Sequence, residues 1–424
     1  MRELLAKFVH GKISRRQLAQ RLASLGFGAV TVESILDTAQ AAPQETFRVE
    51  PFSEKTPYEQ WMAAEGVPIY RGYHVANLRA LELKPWPRLG AGARGALIDL
   101  DGAEGTDAAY VCQIAAGSST TAQRYMFEEA LYVLDGQGET EIWHEGGSKQ
   151  SFKWQKGSLF SPPLNVWRRH YNRGGQPARL VAVTDAPVVF DLFHSADFIF
   201  NNSFVFRDRY NNQPGYFTFN QSKMRKGGTA ATFGEGERGA VGILDTGYVP
   251  DVNRLELFEA KSRGYKNKSL EMVLSDNAMQ AHISEFEVGT YKRAHRHGPG
   301  SHVMVLGGAG YSLMWTEPAE YSKSPKQVRV EWTDGALFVP PDRWYHQHFN
   351  GGPTAAKYMA ATWIGGKYFV KALGGGGRTH RLNNLSFKKG GNMIDYTDED
   401  PAIRSMFEEE LRKRGVQNQM PARS

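Results

Sequence analysis

The stretch Gly335-Ala-Leu-Phe-Val-Pro-Pro341 repeats, with two changes, an earlier stretch of the same chain, Gly157-Ser-Leu-Phe-Ser-Pro-Pro163. Each copy is soon followed by a tryptophan, Trp344 in the later copy and Trp167 in the earlier one. A glycine, a short apolar run and two prolines are typical of a strand that ends in a tight turn. The repetition indicates that the chain contains the same structural unit twice.

Two further pairs of segments support the duplication. Residues 75–83 resemble residues 249–257, and the hairpin segment 130–136 resembles 302–308. Short strands separated by Gly and Pro turns predict an antiparallel barrel or jelly roll, so two copies predict an all-β fold of two tandem barrels with helical extensions. The expected parts are an N-terminal arm at 1–45, a first barrel at 46–190, an ordered linker at 191–247, a second barrel at 248–372 and a C-terminal tail with one helix at 373–424.

Composition limits the class of protein. The 424 residues are 41% apolar and 23% charged, which suits a globular protein with two domains. The net charge of +6 is spread along the chain, so we expect attraction for small anions and no nucleic-acid binding. No apolar run approaches eighteen residues, so no transmembrane segment is expected. The single cysteine, Cys112, excludes a disulfide framework and a cysteine-based metal cluster.

The N-terminus supports two hypotheses. Residues 14–25 have the pattern of an amphipathic helix with Ser14 as its N-cap, which predicts a helical arm and a cytoplasmic protein. However, Arg15-Arg16 resembles part of a twin-arginine export signal, and Ala39-Gln40-Ala41 could be its cleavage site, which predicts a periplasmic protein. Glu33 interrupts the apolar region that such a signal needs, so the helical arm is favoured.

The C-terminal tail contains one helix signal. Asp400-Pro401 is a typical helix start, and the pattern predicts a helix to about Arg414 that ends at Gly415. The four glycines at 374–377 predict a flexible break between this tail and the second barrel.

Three histidines give the main chemical prediction. In a strand, alternate residues share a face, so His295 and His297 can both point into the second barrel. His346 belongs to a later strand and could meet them across the barrel interior. Three imidazoles suit one divalent transition metal, such as Fe(II), Mn, Zn or Ni.

The segments around these histidines resemble the two motifs of the cupin superfamily. The first motif is Gly, five residues, His-x-His, three or four residues, Glu, six residues, Gly; the second is Gly, five residues, Pro-x-Gly, two residues, His, three residues, Asn. The resemblance covers residues from about 70 to 370 and implies a bicupin with its metal in the second barrel. The matching residues are Gly289, His295 and His297 for the first motif and Gly335, Pro341, His346 and Asn350 for the second, with Arg343 in place of a Gly.

The glutamate of the first motif is missing. Counting back from Gly308 places Ser301 at its position, whereas counting forward from His297 places His302 there. With Ser301, the site has three imidazoles and open positions; with His302 turned inward, it has four. Either set of ligands is neutral, so the metal would keep its positive charge and favour an anionic substrate.

The first barrel has the same motif spacing without the metal ligands. Gln123 and Tyr125 replace the histidine pair, Glu129 keeps its place, and Arg168 replaces the third histidine. A Glu129–Arg168 ion pair inside the barrel would stand in for the metal. The alternative hypothesis is a small-molecule pocket that uses Arg168 and Tyr125.

The three-histidine set resembles that of gentisate-type ring-cleaving dioxygenases, which are bicupins with an Fe(II) centre. This resemblance implies a dioxygenase that acts on a small, aromatic hydroxy acid with dioxygen. The alternatives are a metal-dependent decarboxylase or isomerase of a small organic or sugar acid, and a bicupin that binds a ligand without catalysis. We also expect a homo-oligomer, because cupins commonly pair through their outer strands and terminal arms.

Four further residues are candidates for handling the substrate. Arg293 and Arg343 could hold a carboxylate. His282 could line the pocket from a neighbouring strand, and His348, which has the same parity as His346, could act as an acid or base.

Overall fold

The structure is a computed structural model. It describes residues 13–29, 48–103, 105–220, 242–298, 300–363 and 385–422, together with residues 225–226 and a few single positions before residue 37.

The first half of the chain forms eleven strands among its described residues. They are β1 Ile69–Tyr70, β2 His74–Val75, β3 Lys84–Pro85, β4 Ala93–Ile98, β5 Ala108–Ile114, β6 Glu129–Asp135, β7 Gln137–Trp143, β8 Gln150–Gln155, β9 Leu159–Phe160, β10 Trp167–Asn172 and β11 Ala178–Thr184. One sheet has the order β1-β4-β5-β11-β6-β9, with β3 beside β4, and a smaller sheet has the order β10-β7-β8. An apolar core lies between the two sheets, as expected for a double-sheet barrel.

The second half repeats this arrangement. Its described strands are β12 Arg225–Lys226, β13 Gly242–Thr246, β14 Tyr248–Val249, β15 Phe258–Glu259, β16 Asn267–Leu274, β17 Met279–Phe286, β18 His302–Gly307, β19 Ala309–Trp315, β20 Gln327–Thr333, β21 Leu337–Phe338, β22 Tyr345–Asn350 and β23 Ala356–Trp363. The larger sheet has the order β12-β13-β16-β17-β23-β18-β21, with β15 beside β16, and the smaller one β20-β19-β22. The all-β fold of two tandem barrels is therefore confirmed.

Each barrel takes one short strand from the other repeat. In β2, His74 and Val75 pair with Phe338 and Leu337 of the second barrel. In β14, Tyr248 and Val249 pair with Phe160 and Leu159 of the first barrel. These strands begin the repeated segments 75–83 and 249–257. The exchange crosses the boundaries expected from the sequence, because residues 74–75 complete a sheet of the second barrel.

The larger sheets of the two barrels pack against each other. Alternate residues of β17 face opposite ways: Ala281 and Ile283 lie in the apolar core between the barrels. His282 and Ser284 face the interior of the second barrel. Both faces of β17 are therefore buried, and its polar residues line the interior of the second barrel.

Five α-helices lie among the described residues: α1 Arg15–Ser24, α2 Pro57–Ala64, α3 Ala186–Phe193, α4 Ala196–Asn201 and α5 Pro401–Arg414. None of them is long and apolar enough to cross a membrane. As predicted, Ser14 caps α1. Its hydroxyl oxygen accepts a hydrogen bond from the backbone N–H of Gln17, and the side-chain oxygen of Gln17 accepts one from the backbone N–H of Ser14. The proposed cleavage segment at residues 39–41 and the glycine run at 374–377 lie outside the described residues. Short 3₁₀ helices span Leu78–Ala80, Pro87–Leu89, Val252–Arg254, Lys261–Arg263, Tyr321–Lys323 and Phe387–Lys389.

The C-terminal helix α5 begins and ends where the sequence predicts. Asp400 caps its start, accepting a hydrogen bond of 2.9 Å from the backbone N–H of Ala402, and Gly415 ends it with φ 66°. Phe407 and Leu411 pack against the outer face of the smaller sheet of the second barrel. Helix α5 is thus packed on the second barrel, on the side where the histidine-bearing strand β22 lies.

Candidate metal centre

The structure brings His295, His297 and His346 together inside the second barrel. The backbone N–H groups of His295 and His346 each donate to the other residue's carbonyl, over 3.1 and 2.8 Å. The ring centroids are 4.3 Å apart for His295 and His346, 4.9 Å for His297 and His346, and 5.5 Å for His295 and His297. One nitrogen of each ring lies within 4.8 Å of the others. In the part of the chain that the structure describes, this is the only such group of three or more potential metal ligands.

Backbone carbonyls set the tautomers of two of these rings. Nδ1 of His295 lies 3.2 Å from the carbonyl oxygen of Arg293, and Nδ1 of His346 lies 3.1 Å from that of Trp344. Because a carbonyl oxygen can only accept, both Nδ1 atoms must carry the proton. The Nε2 lone pairs are then free to bind a metal, as in most protein sites with histidine ligands.

The electrostatics of the site also suit a metal. Burial lowers the pKa of His295 and His346 well below the usual value, and neighbouring imidazoles lower each pKa further. The rings are therefore neutral at neutral pH, which is the form that binds a metal. Three imidazole nitrogen donors fit one divalent ion such as Fe(II), Mn, Zn or Ni.

The structure resolves the choice between Ser301 and His302. Ser301 lines the cavity beside the three histidines. His302 begins β18 with its side chain on the opposite face, where Nδ1 lies 3.3 Å from Oδ2 of Asp107 and both side chains are fully buried. The interpretation of His302 as a fourth ligand is therefore wrong, because strand alternation turns it toward the first barrel.

Ionisable side chains from several strands line the cavity next to the histidines. They are Arg263, Glu271, His282, Lys292 and Tyr358. His282 lies opposite Glu271 on the neighbouring strand β16, so the two face the same side of the sheet. Further lining residues are Ser269, Ser301, Val303, Pro340, His348 and Ala360.

Sequence reasoning identified His282, Ser301 and His348 in this wall but missed the other ionisable residues. Glu271 becomes recognisable only through its register with His282, and Tyr358 only through its register with Ser284. Lys292 lies inside the first motif, where the strand alternation breaks before His295. Arg263 comes from a 3₁₀ turn outside both motifs, so no sequence signal marks it.

The two arginines predicted to hold a carboxylate do not line the cavity. Nη1 of Arg293 lies 3.3 Å from Oδ1 of Asp395 in the C-terminal tail. Arg343 occupies a turn position with φ 59°, which suits the Gly of the cupin motif, and its side chain is 77% exposed. The prediction for both residues is wrong, because each side chain leaves the barrel; the arginine in the cavity wall is Arg263.

His348 belongs to an arrangement that both barrels share. Its Nδ1 lies 2.8 Å from Oγ of Ser312, and this oxygen also accepts a 3.0 Å hydrogen bond from the indole of Trp332. The equivalent residues of the first barrel are His170, Thr140 and Trp154. The first barrel has no histidine triad among its described residues and still has this arrangement, which therefore indicates that His348 contributes to packing of the barrel. In the second barrel the same ring also forms part of the cavity wall.

The first barrel has an ion pair at the corresponding place. The backbones of Gln123 and Arg168 form an isolated antiparallel β-bridge, as the backbones of His295 and His346 do in the second barrel. Nε of Arg168 lies 3.1 Å from Oε1 of Glu129, and both side chains are buried. The hydroxyl of Tyr125 donates to Glu129 over 2.6 Å, and its ring lies under the guanidinium, with Cζ 3.5 Å from the centroid. This geometry fits the expected substitution of an ion pair for the metal.

Two double-sheet barrels in tandem, with the cupin motif residues placed around a three-histidine cluster in the second, define a bicupin architecture. No family model matches the chain, and no curated protein matches its sequence.

Several solved structures are similar to this chain at low sequence identity. A variant of oxalate decarboxylase from Bacillus subtilis is 13% identical, with a TM-score of 0.44 over 69% of this chain and 77% of that one. The Lactobacillus farciminis oxalate decarboxylase formate complex is 13% identical, with a TM-score of 0.46 over 75% and 92%. Vicilin from Corylus avellana (hazelnut) is 11% identical, with a TM-score of 0.43 over 69% and 85%.

Proposed function

We propose that the protein is a mononuclear divalent-metal enzyme that decarboxylates or isomerises a small organic acid. The observation that supports this proposal best is that the three imidazoles and a set of proton-donating and proton-accepting side chains line one cavity. A purely structural metal site needs no such neighbours, whereas proton-transfer chemistry does.

The site favours an anionic substrate. A divalent ion on the three imidazoles would polarise a carboxylate or carbonyl oxygen of that substrate. The protein adds the positive guanidinium of Arg263. Burial is the main reason why the pKa values of His295, His346 and His348 are lowered, and the charge of Arg263 lowers each of them further. Among the described residues of the cavity wall, Glu271 is the one carboxylate, so an anion would meet the positive charges of Arg263 and of a bound metal.

Three residues of the wall can hold or move a proton. Burial raises the pKa of Tyr358 to about 12, so its phenol keeps the proton at neutral pH and acts as a donor. His282 and Glu271 lie side by side on neighbouring strands of the same face. A decarboxylation needs a proton delivered to carbon, and an isomerisation needs one removed and returned, so such a set suits both reactions.

A second candidate function is an Fe(II)-dependent dioxygenase that acts on a small, aromatic hydroxy acid. It is favoured by Ser301, which stands in the cavity wall where the cupin motif has a glutamate ligand. Three protein ligands leave more open positions than four, which would allow substrate and dioxygen to bind together.

Metal analysis followed by turnover assays tests these proposals. The wild-type protein and His295→Ala are purified without added metal, analysed for bound metal, and assayed with small hydroxy and oxo acids with and without oxygen. About one divalent metal per chain, lost in the variant, together with oxygen-independent release of CO₂ or isomerisation, would support the first proposal. Oxygen consumption matched to substrate loss would favour the dioxygenase. A protein that binds no metal even after reconstitution would contradict both and leave a ligand-binding bicupin.

A further inference from the structure

Lys292 is a buried amine in the wall of the metal cavity. The residue is 3% exposed, and its Nζ makes hydrogen bonds of 2.8 Å with Oγ of Ser284 and 2.5 Å with the hydroxyl of Tyr358. Both partners are neutral hydroxyls, and no carboxylate among the described residues forms an ion pair with this amine. A lysine buried without a counterion is costly to keep charged.

The surroundings of Lys292 favour its uncharged form. Burial lowers its pKa well below the usual value, the positive charge of Arg263 lowers it further, and Glu271 offsets only part of this effect. An uncharged amine has a lone pair that can accept a hydrogen bond. Tyr358, which keeps its proton because burial raises its pKa to about 12, can supply that bond.

We propose that Lys292 is a nucleophile that condenses with the carbonyl group of a small oxo acid in the cavity to form an imine. The inference deepens the proposed function and rests on it for the class of substrate. Desolvation and a neighbouring cation are known means of activating a catalytic lysine, and both are present here. Arg263 would hold the carboxylate of the same molecule, because it is the one arginine among the described residues that line the cavity.

The condensation needs no oxidant or reductant. The lone pair of Nζ forms a bond to the carbonyl carbon, and the electron pair of the C–O double bond moves to the oxygen. The nitrogen then loses two protons, the oxygen gains two and leaves as water, and a C–N double bond remains. Tyr358 is placed to pass these protons because its hydroxyl already contacts Nζ. Once its nitrogen is protonated, the imine accepts the electron pair of a bond to the carbon next to the former carbonyl carbon, which assists both decarboxylation and isomerisation.

Reductive trapping tests the proposal. The full-length protein is incubated with pyruvate or acetoacetate and sodium cyanoborohydride, digested, and mapped by mass spectrometry. We expect one adduct per chain at Lys292, formed ~10-fold or more faster than adducts at exposed lysines, because those are protonated at neutral pH. Lys268→Met, which removes an exposed lysine of β16, should leave this adduct intact, and Lys292→Met should abolish it. Tyr358→Phe should slow its formation while leaving Lys292 in place.

The wild-type experiment does not depend on the folding of any variant. Modification of exposed lysines while Lys292 stays unmodified, or modification of Lys292 no faster than of Lys268, would overturn the proposal. Metal content is measured on the same samples, so the two proposals can fail separately. An adduct at Lys292 in a protein that binds no metal would contradict only the metal-enzyme function, and full metal loading without an adduct would contradict only the role of Lys292.

Discussion

Arg168 and Glu129 form a buried ion pair, with 3.1 Å between Nε and Oε1, at the place in the first barrel that His346 and its partners occupy in the second. The same scaffold thus encloses polar groups in two ways. In the first barrel, the charges neutralise each other and Tyr110 and Tyr125 donate further hydrogen bonds to the carboxylate. In the second barrel, three imidazoles converge, and His295 and His346 both present Nε2 to the cavity, which suits a metal.

Loss of one imidazole should abolish metal binding. We expect His346→Ala to lose stoichiometric metal, because two remaining imidazoles without a carboxylate hold a divalent ion weakly. Arg168→His in the first barrel should not create a second site, because Gln123 and Tyr125 supply no further imidazole. Elemental analysis after dialysis measures both variants, and equal metal loading in His346→Ala would contradict the ligand assignment.

Removing half of the buried ion pair should destabilise the first barrel. Arg168→Met leaves the carboxylate of Glu129 buried without its counterion, which typically costs about 3–5 kcal/mol of unfolding free energy. The double variant Arg168→Met with Glu129→Gln should recover part of this loss, because it buries no unpaired charge. Urea unfolding of the three proteins gives the values. A single variant as stable as the wild type would show that the pair contributes nothing.

Arg263 should contribute to substrate binding, whereas Arg343 should not. Arg263 lines the cavity, while the side chain of Arg343 is 77% exposed. Arg263→Gln should weaken the binding of a small organic anion about tenfold or more, since hydrogen bonds to charged groups contribute ~1.5–3 kcal/mol. Arg343→Gln is the matched control. Calorimetric titration of the metal-loaded proteins with oxalate and pyruvate measures the effect, and equal affinities in both variants would rule out this use of Arg263.

Glu399, which belongs to the C-terminal tail, should help to position the metal ligand His346. Its carboxylate accepts hydrogen bonds of 2.7 Å from Gln347, which lies between His346 and His348, and of 2.8 Å from the hydroxyl of Tyr291. Glu399→Ala leaves these buried donors unsatisfied, at a cost of about 1–3 kcal/mol.

We therefore expect weaker metal binding together with lower stability in Glu399→Ala. Glu408→Ala, at an exposed position on α5, is the control. Competition with a chelator measures the metal affinity and thermal unfolding the stability. Unchanged metal affinity in a destabilised Glu399→Ala protein would limit this residue to fold stability.

His170 should make the first barrel sensitive to acid. Burial, assisted by the charge of Arg168, lowers its pKa from 6.5 to about 3. Between these values the unfolded chain binds a proton that the folded chain does not, so stability is lost as the pH falls from 6.5 toward 3. His170→Asn places a side-chain amide near the former position of Nδ1, where it can still bond to the hydroxyl of Thr140. This variant should reduce the acid-induced loss of unfolding free energy by about 2–4 kcal/mol. Denaturation of the metal-free proteins at several pH values measures it; parallel curves would show that His170 does not titrate on unfolding.

Several parts of the fold and site follow from local sequence patterns. The two barrels could be predicted because Gly, Pro-Pro and Trp recur at matching places in both repeats, and turn residues act locally. The helix from Pro401 to Arg414 could be predicted because its cap and its final glycine are local signals. The convergence of His295, His297 and His346 could be expected because the spacing of residues in a strand and the cupin motif agree on it.

The rest depended on tertiary contacts. His302 and Ser301 are neighbours in sequence, and the register of β18 against β23 decides which of them faces the cavity. Arg263, Glu271 and Lys292 reach the metal pocket from segments whose orientation no local pattern sets. The sequence by itself determined the duplicated barrel and its three-histidine cluster, because these rest on local turn residues and on the residue spacing of the two motifs. Only the tertiary structure decided which charged residues join that cluster, because strand register is a property of paired strands and not of either strand alone.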